Sequence, residues 1–204
     1  MAEQQAKASS QGVGATNSSN QEARENEKNP AISNPRWEDT KGQAITKALV
    51  GDEVYLCAHV TDIADGSPAT IKIVEKDADG TDDPLTTLST VVSGGRIKCR
   101  WQVKYTADDD ADSQKELKEK GYTLPEYAFV VECGGATSGE SGVLEVRGGL
   151  KVQLKDKKTN TLLKNIKISL KQHGSIFKTL TTDENGYFEL MEIPVGEYEI
   201  VLED

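Results

Sequence analysis

Apolar and polar side chains alternate in short runs along most of the chain after Trp37. The runs are VYLCAHV (54–60), ATIKIV (69–74), RIKCRWQVKY (96–105) and YAFVVEC (127–133). A period of two sends successive side chains to opposite faces of an extended chain, so each run predicts a strand. In 96–105, Ile97, Cys99, Trp101, Val103 and Tyr105 share one face, and Arg96, Lys98, Arg100, Gln102 and Lys104 share the other. That division marks a sheet with one buried and one wet face. Turn clusters ADGSP (64–68), DADGTDDP (77–84) and SGG (93–95) separate the runs. One segment breaks the pattern. DDDADSQKELKEKG (108–121) opens with acidic residues, carries Lys115, Lys118 and Lys120 near its end and stops at Gly121, which predicts a short exposed helix.

After the glycine-rich GGATSGESG (134–142), VLEV (143–146) reads as the last strand of this first set, and Arg147–Gly149 as a short linker. A second set follows: GLKVQL (149–154), NIKISL (165–170), IFKTLTT (176–182), GYFEL (186–190) and EYEIVL (197–202), separated by KKTN, QHG, TDENG and PVG. Residues 1–36 differ from both sets. Val13 and Ile32 are their only aliphatics beyond Ala and the initiator Met, too few to offset the entropy of ordering, so a disordered tail is expected. The expected fold class is all-β. A disordered tail (1–36) precedes a β-sandwich over 37–148 with a helical insertion near 108–121, and a second, smaller sandwich spans 149–204.

Composition narrows the function classes. The formal charge is -10, with 24 Lys+Arg against 34 Asp+Glu. Residues 37–148 carry 12 basic and 21 acidic residues, net -9, so the first sandwich holds nearly all the negative field. A duplex binder releases phosphate counterions through a basic face, so no nucleic-acid partner is expected. No apolar run is long enough to span a bilayer, and the start MAEQQAKASSQGVG lacks a basic stretch followed by an apolar one. Synthesis in the cytoplasm without a signal peptide is expected. Three cysteines (Cys57, Cys99 and Cys133) fit a reducing compartment.

Candidate chemistry is sparse. The two histidines, His59 and His173, stand at no recurring zinc spacing with Cys, Asp or Glu, so structural roles are expected. Cys57, Trp101 and Cys133 superficially follow the Cys…Trp…Cys order of antibody domains, but Trp101 lies far too late in the chain. Alternation places Cys99 and Cys133 on buried faces and Cys57 opposite Val54 and Leu56, so all three read as buried, small apolar residues. The acidic loop Asp77–Asp83 invites a calcium reading, but an EF-hand counted from Asp77 would need Gly and Glu where Asp82 and Leu88 stand. No phosphate-binding loop, nucleophile elbow or HExxH occurs. The chain is therefore expected not to be an enzyme and to need no cofactor or metal.

The segment TTDENGYFELMEIPVGEYEI (181–200), with GLKVQLKDKKTNTLLKNIKISL before it, resembles the transthyretin-like, carboxypeptidase-regulatory-like family of β-sandwiches. That resemblance implies a binding or spacer module. Related collagen-adhesin B-type modules form a Lys–Asn crosslink whose acceptor strand would lie beyond Asp204, so that chemistry is not carried over. Upstream, NPRWEDTKGQAITKALVGDEVYLCAHVTDIADG, IKIVEKDADG and GGRIKCRW are similar to immunoglobulin-like modules accompanying spike proteins of bacterial contractile injection machines, including type VI secretion. The two resemblances together imply a non-enzymatic adaptor, or a spike- or tip-associated cargo, delivered by the apparatus and bound to a spike, tube or effector protein. The alternative is a calcium- or carbohydrate-binding module, or a hydrolase accessory, using the acidic loops. The expected partner-binding residues are Tyr198, Glu199, Ile200, Val201 and Leu202, on a final strand read as having no successor to cover it.

Overall fold

A computed structural model describes residues 29–77, 81–105, 118 and 124–203. These form thirteen strands: β1 (Ala31–Glu38), β2 (Lys47–Leu49), β3 (Glu53–Thr61), β4 (Pro68–Glu75), β5 (Asp83–Ser93), β6 (Arg96–Gln102), β7 (Glu126–Cys133), β8 (Ala136–Thr137), β9 (Leu144–Gln153), β10 (Lys167–Gln172), β11 (Ser175–Thr181), β12 (Tyr187–Ile193) and β13 (Glu199–Leu202). Hydrogen bonds link them in the order β1-β3-β6-β5-β4-β7-β9-β12, with a separate sheet β11-β10-β13. Among the described residues, β2 supplies the one parallel pairing, beside β9.

The long sheet folds over on itself at β5. Asp83–Val91 pairs with β4, whereas Val92 and Ser93 pair with β6, so this strand passes from one layer to the other. The layers then face each other across an aromatic core. Trp37 of β1 meets Phe129 of β7 edge-on at 4.9 Å, and Trp101 of β6 meets Tyr127 of β7 at 6.1 Å. Around them Leu56, Ile71, Ile73, Ile97, Val131 and Leu144 are fully buried. Tight hairpins set the registers. Gly94-Gly95, Gly134-Gly135 and His173-Gly174 all hold positive φ at both central residues, which matches the twist of the flanking strands. His173 is thus a turn residue.

Two boundaries and one strand differ from the sequence expectation. The tail expected through residue 36 overlaps β1, which starts at Ala31 and pairs with β3 from Ala31↔Thr61 to Glu38↔Tyr55. An edge strand needs few inward side chains, and Ile32 and Trp37 suffice; residues 1–28 lie outside the described residues. The expected linker Arg147–Gly149 is the middle of β9. Leu144 and Glu145 pair with β7, and Gly148 to Gln153 pair with β12, so one strand serves both sandwiches. β5, rich in Thr and Ser, escaped the alternation test because most of its side chains are at least partly exposed. Of the helix expected at 108–121, all but Lys118 lies outside the described residues.

The second core is small. Leu170, Leu190 and Ile193 are buried together, with Leu150, Leu180, Tyr198 and Ile200 packed partly exposed against them. Thr182 anchors the loop that follows β9: its hydroxyl donates to Leu163 O (2.6 Å) and accepts from Ile166 N (3.0 Å).

Candidate protein-binding edge

Pro194-Val195-Gly196 turns the chain from β12 into β13. A Cβ at position 196 would stand 2.7 Å from the buried Gln172 amide nitrogen, so only glycine fits there without displacing it. Tyr198 then locks the turn. Its hydroxyl donates to Pro194 O (2.7 Å), its ring meets Phe177 edge-on at 5.5 Å, and burial pushes its phenol pKa up.

Among the described residues β13 has one strand neighbour, β10, with Ile168↔Leu202, Ser169↔Val201, Leu170↔Ile200 and Lys171↔Glu199 in register. Glu203 N donates to Lys167 O at 3.0 Å. By the two-residue alternation of an antiparallel ladder, the N–H groups of Glu199 and Val201 also face β10, and those of Ile200 and Leu202 face the open side. Five residues expected from sequence as one binding element thus divide in three ways. Tyr198 is a structural anchor, Glu199 and Val201 hold β13 to the sheet, and Ile200 and Leu202 carry the free donors. Leu202 lies on the core-facing side yet remains 52% exposed. Across the sheet Ile176 is 63% exposed on the other edge strand, β11.

Charge borders this edge. Glu203 receives a bond from the Lys167 ammonium (2.6 Å) and from the Ser169 hydroxyl, which hold its carboxyl below the usual range. Glu197 and Glu199 are exposed.

The acidic loops of the first sandwich have other occupations. Lys76 Nζ lies 2.5 Å from Asp82 Oδ2 and 3.0 Å from Glu140 Oε2, so an ammonium already answers that cluster; these two bonds push the Lys76 pKa up. Asp79 lies outside the described residues. Elsewhere Asp65 accepts from Gly94 N (2.9 Å) in the β5–β6 hairpin, and two aspartates cap their own loops: Asp39 accepts from Lys41 N and Gln43 N (both 2.8 Å), and Asp183 from Asn185 N and Tyr187 N (both 2.8 Å). The bonds of Asp39 and Asp183 are Asx-type turns. Sequence reasoning also missed GGATSGESG as a structural element: Ser138 and Ser141 hydroxyls accept from Val131 N (2.9 Å) and Phe129 N (3.0 Å), covering the edge of β7.

The cysteines separate. Cys133 is buried and Cys99 half-buried, both toward the first core, as alternation implies. Cys57 is buried on the opposite face, where its thiol bonds the Glu38 carboxylate; burial and that carboxylate push its pKa up to about 12. Among the described residues, no group of three His, Cys, Asp or Glu side chains is placed to hold a metal ion.

Residues 148–203 match the family model described as SpaA, prealbumin-like fold domain, which supports a transthyretin-like β-sandwich there. No curated protein matches the chain in sequence. Among solved structures, Pseudomonas fluorescens alkylpurine DNA glycosylase AlkC, bound to DNA containing an abasic site analog, is similar at 10% identity and a TM-score of 0.32, covering 58% of this chain and 30% of that one. So slight a likeness carries no functional argument.

Proposed function

We propose that this chain is a non-enzymatic adaptor that binds a protein partner by strand addition at β13, and that it serves a contractile injection apparatus whose spike, tube or effector protein is that partner. The carrying observation is the open β13 edge, where the outward N–H groups of Ile200 and Leu202 stand beside an apolar side chain half exposed to solvent. An added strand would pair those donors and cover Leu202. The injection setting rests on the similarity of the NPRWEDT…GGRIKCRW region to spike-associated modules. Among the described residues, Lys76 meets Asp82 and Glu140, and backbone N–H groups meet Asp39 and Asp65, which tells against the calcium or carbohydrate reading.

Leu202→Pro tests the proposal. It removes a donor that faces away from β10, a position where proline is tolerated. Glu199→Pro, by contrast, would break a bond to β10. The L202P protein is expected to keep its circular dichroism and to lose spike, tube or effector proteins that the unaltered chain captures from native lysate, as identified by mass spectrometry. Unchanged capture by L202P would refute the edge, and capture of carbohydrate-processing proteins alone would refute the injection setting.

A further inference from the structure

On this acidic chain, one face is basic. The outer surface of β1-β3-β6 carries Arg96, Lys98 and Arg100 at alternate positions of β6, with Lys104 continuing the series, and all four are exposed. Alternate strand residues are about 7 Å apart, so Arg96, Lys98 and Arg100 form an evenly spaced row, and Lys104 follows one step beyond Gln102, past the end of β6. Register sets His59 of β3 opposite Arg96, Cys57 opposite Lys98 and Tyr55 opposite Arg100; Arg36 of β1 lies opposite Cys57.

Internal contacts hold several of these cations in place. Lys98 Nζ sits 4.2 Å above the centroid of the Tyr55 ring. Arg100 bonds Glu53 at 3.2 Å, and Tyr55 donates to the same carboxylate at 3.2 Å. Arg36 bonds the buried Glu38, which also receives the Cys57 thiol. Both acidic residues of the face therefore brace cations.

We infer that this face is a second interaction surface, separate from β13, and that its occupant is an acidic, extended segment of a protein partner. Carboxylates on alternate residues of an extended chain repeat at the spacing of the cation row. Single-stranded nucleic acid is disfavoured because its binders offer open aromatic rings to the bases, and the Tyr55 ring is already covered by Lys98. A second copy is disfavoured because each copy carries -10 and the two repel.

The probe is a short fluorescein-labelled peptide of alternating Glu and Thr, read by anisotropy at low ionic strength with the full chain. R96E/R100E is expected to weaken binding about tenfold or more, whereas K151E/K155E, with the same net charge change on the second sandwich, stays within about twofold. Equal loss in both variants would reduce the effect to net charge and overturn the inference. So would tighter binding of oligothymidylate of matched charge, or absence of peptide binding. Salt-sensitive self-association in sedimentation, lost in R96E/R100E, would overturn it in favour of a second copy. Should R96E/R100E melt early, Arg96→Gln alone must still weaken peptide binding about threefold; no change there overturns the inference.

Discussion

Ile32→Ala decides whether the stretch before Trp37 is part of the fold. Ile32 is 9% exposed, pairs with Val60 across β1 and β3 and belongs to the first core. Removing buried aliphatic carbons costs about 2–5 kcal/mol, and a residue on an edge strand belongs at the low end because its surroundings relax, so about 2 kcal/mol is expected. For a chain of this size that lowers Tm by roughly 4–8 °C. Ser33→Ala, exposed on the neighbouring position, should stay within about 0.5 kcal/mol. The assay is tryptophan fluorescence against temperature, because both tryptophans, Trp37 and Trp101, lie in this core. If Ile32→Ala melts with the unaltered chain, residues 31–36 contribute no packing, and the description of β1 as a core-bearing strand is wrong.

Gly186→Ala is expected to destabilise the second sandwich by about 1–3 kcal/mol, because φ there is 71° and a Cβ would meet Leu154 O at 3.0 Å; urea unfolding followed by far-UV circular dichroism checks it. The Cys57 thiol should resist Ellman's reagent at pH 8 in the folded chain, since its pKa stands at about 12, and Glu38→Gln should speed the reaction by removing one cause of that elevation. Burial alone would raise the Glu38 carboxyl, but bonds from Cys57 and Arg36 outweigh it and hold it below its ordinary 4.5. Its stabilisation is therefore complete above that value and lost as pH falls through the depressed one, so Glu38→Gln should flatten the acid limb of a Tm-versus-pH curve.

Legibility in the sequence followed how much of a strand faces the core. β6 reads cleanly because each inward side chain from Ile97 to Trp101 is apolar and each outward one polar. β7 reads because Tyr127, Phe129 and Val131 are apolar and fully buried at alternate positions, although Ala128 and Val130 make the other face apolar as well. β5 does not: its partner changes along its length, and Thr and Ser line it without a strict period. β1 hides because a bulge between Ser33 and Arg36, with Asn34 at φ 53° and Pro35 beside it, shifts the phase between Ile32 and Trp37. The five residues expected from sequence, Tyr198 to Leu202, fall on the turn before β13 and on the strand itself. Which of them face outward depends on the ladder phase, and that phase follows from the Glu203–Lys167 hydrogen bond.

The glycine pair at 148–149 shows how the same letters carry opposite structural meanings. Gly next to Gly normally signals a hinge. Here a Cβ at Gly148 would stand 3.6 Å from Ile193 O and Pro194 O, and one at Gly149 would stand 3.0 Å from Met191 Sδ, so the pair admits close approach by the end of β12. Arg147 fastens that approach: its guanidinium donates to Glu192 O at 3.1 Å and bonds Glu145, while its carbonyl accepts from Val50 N at 2.8 Å. β9 is therefore tied to β2 and β7 at one end and to β12 at the other. Bending it between the sandwiches would break backbone bonds rather than rotate a free linker. In the proposed adaptor, the basic face of β6 lies on the long sheet that ends at β12, and the β13 edge lies on the separate sheet β11-β10-β13, which packs on β12 through Leu170, Leu190 and Ile193. A partner that engages both must match their separation, and an arrangement of that kind gains specificity from geometry as well as from contact.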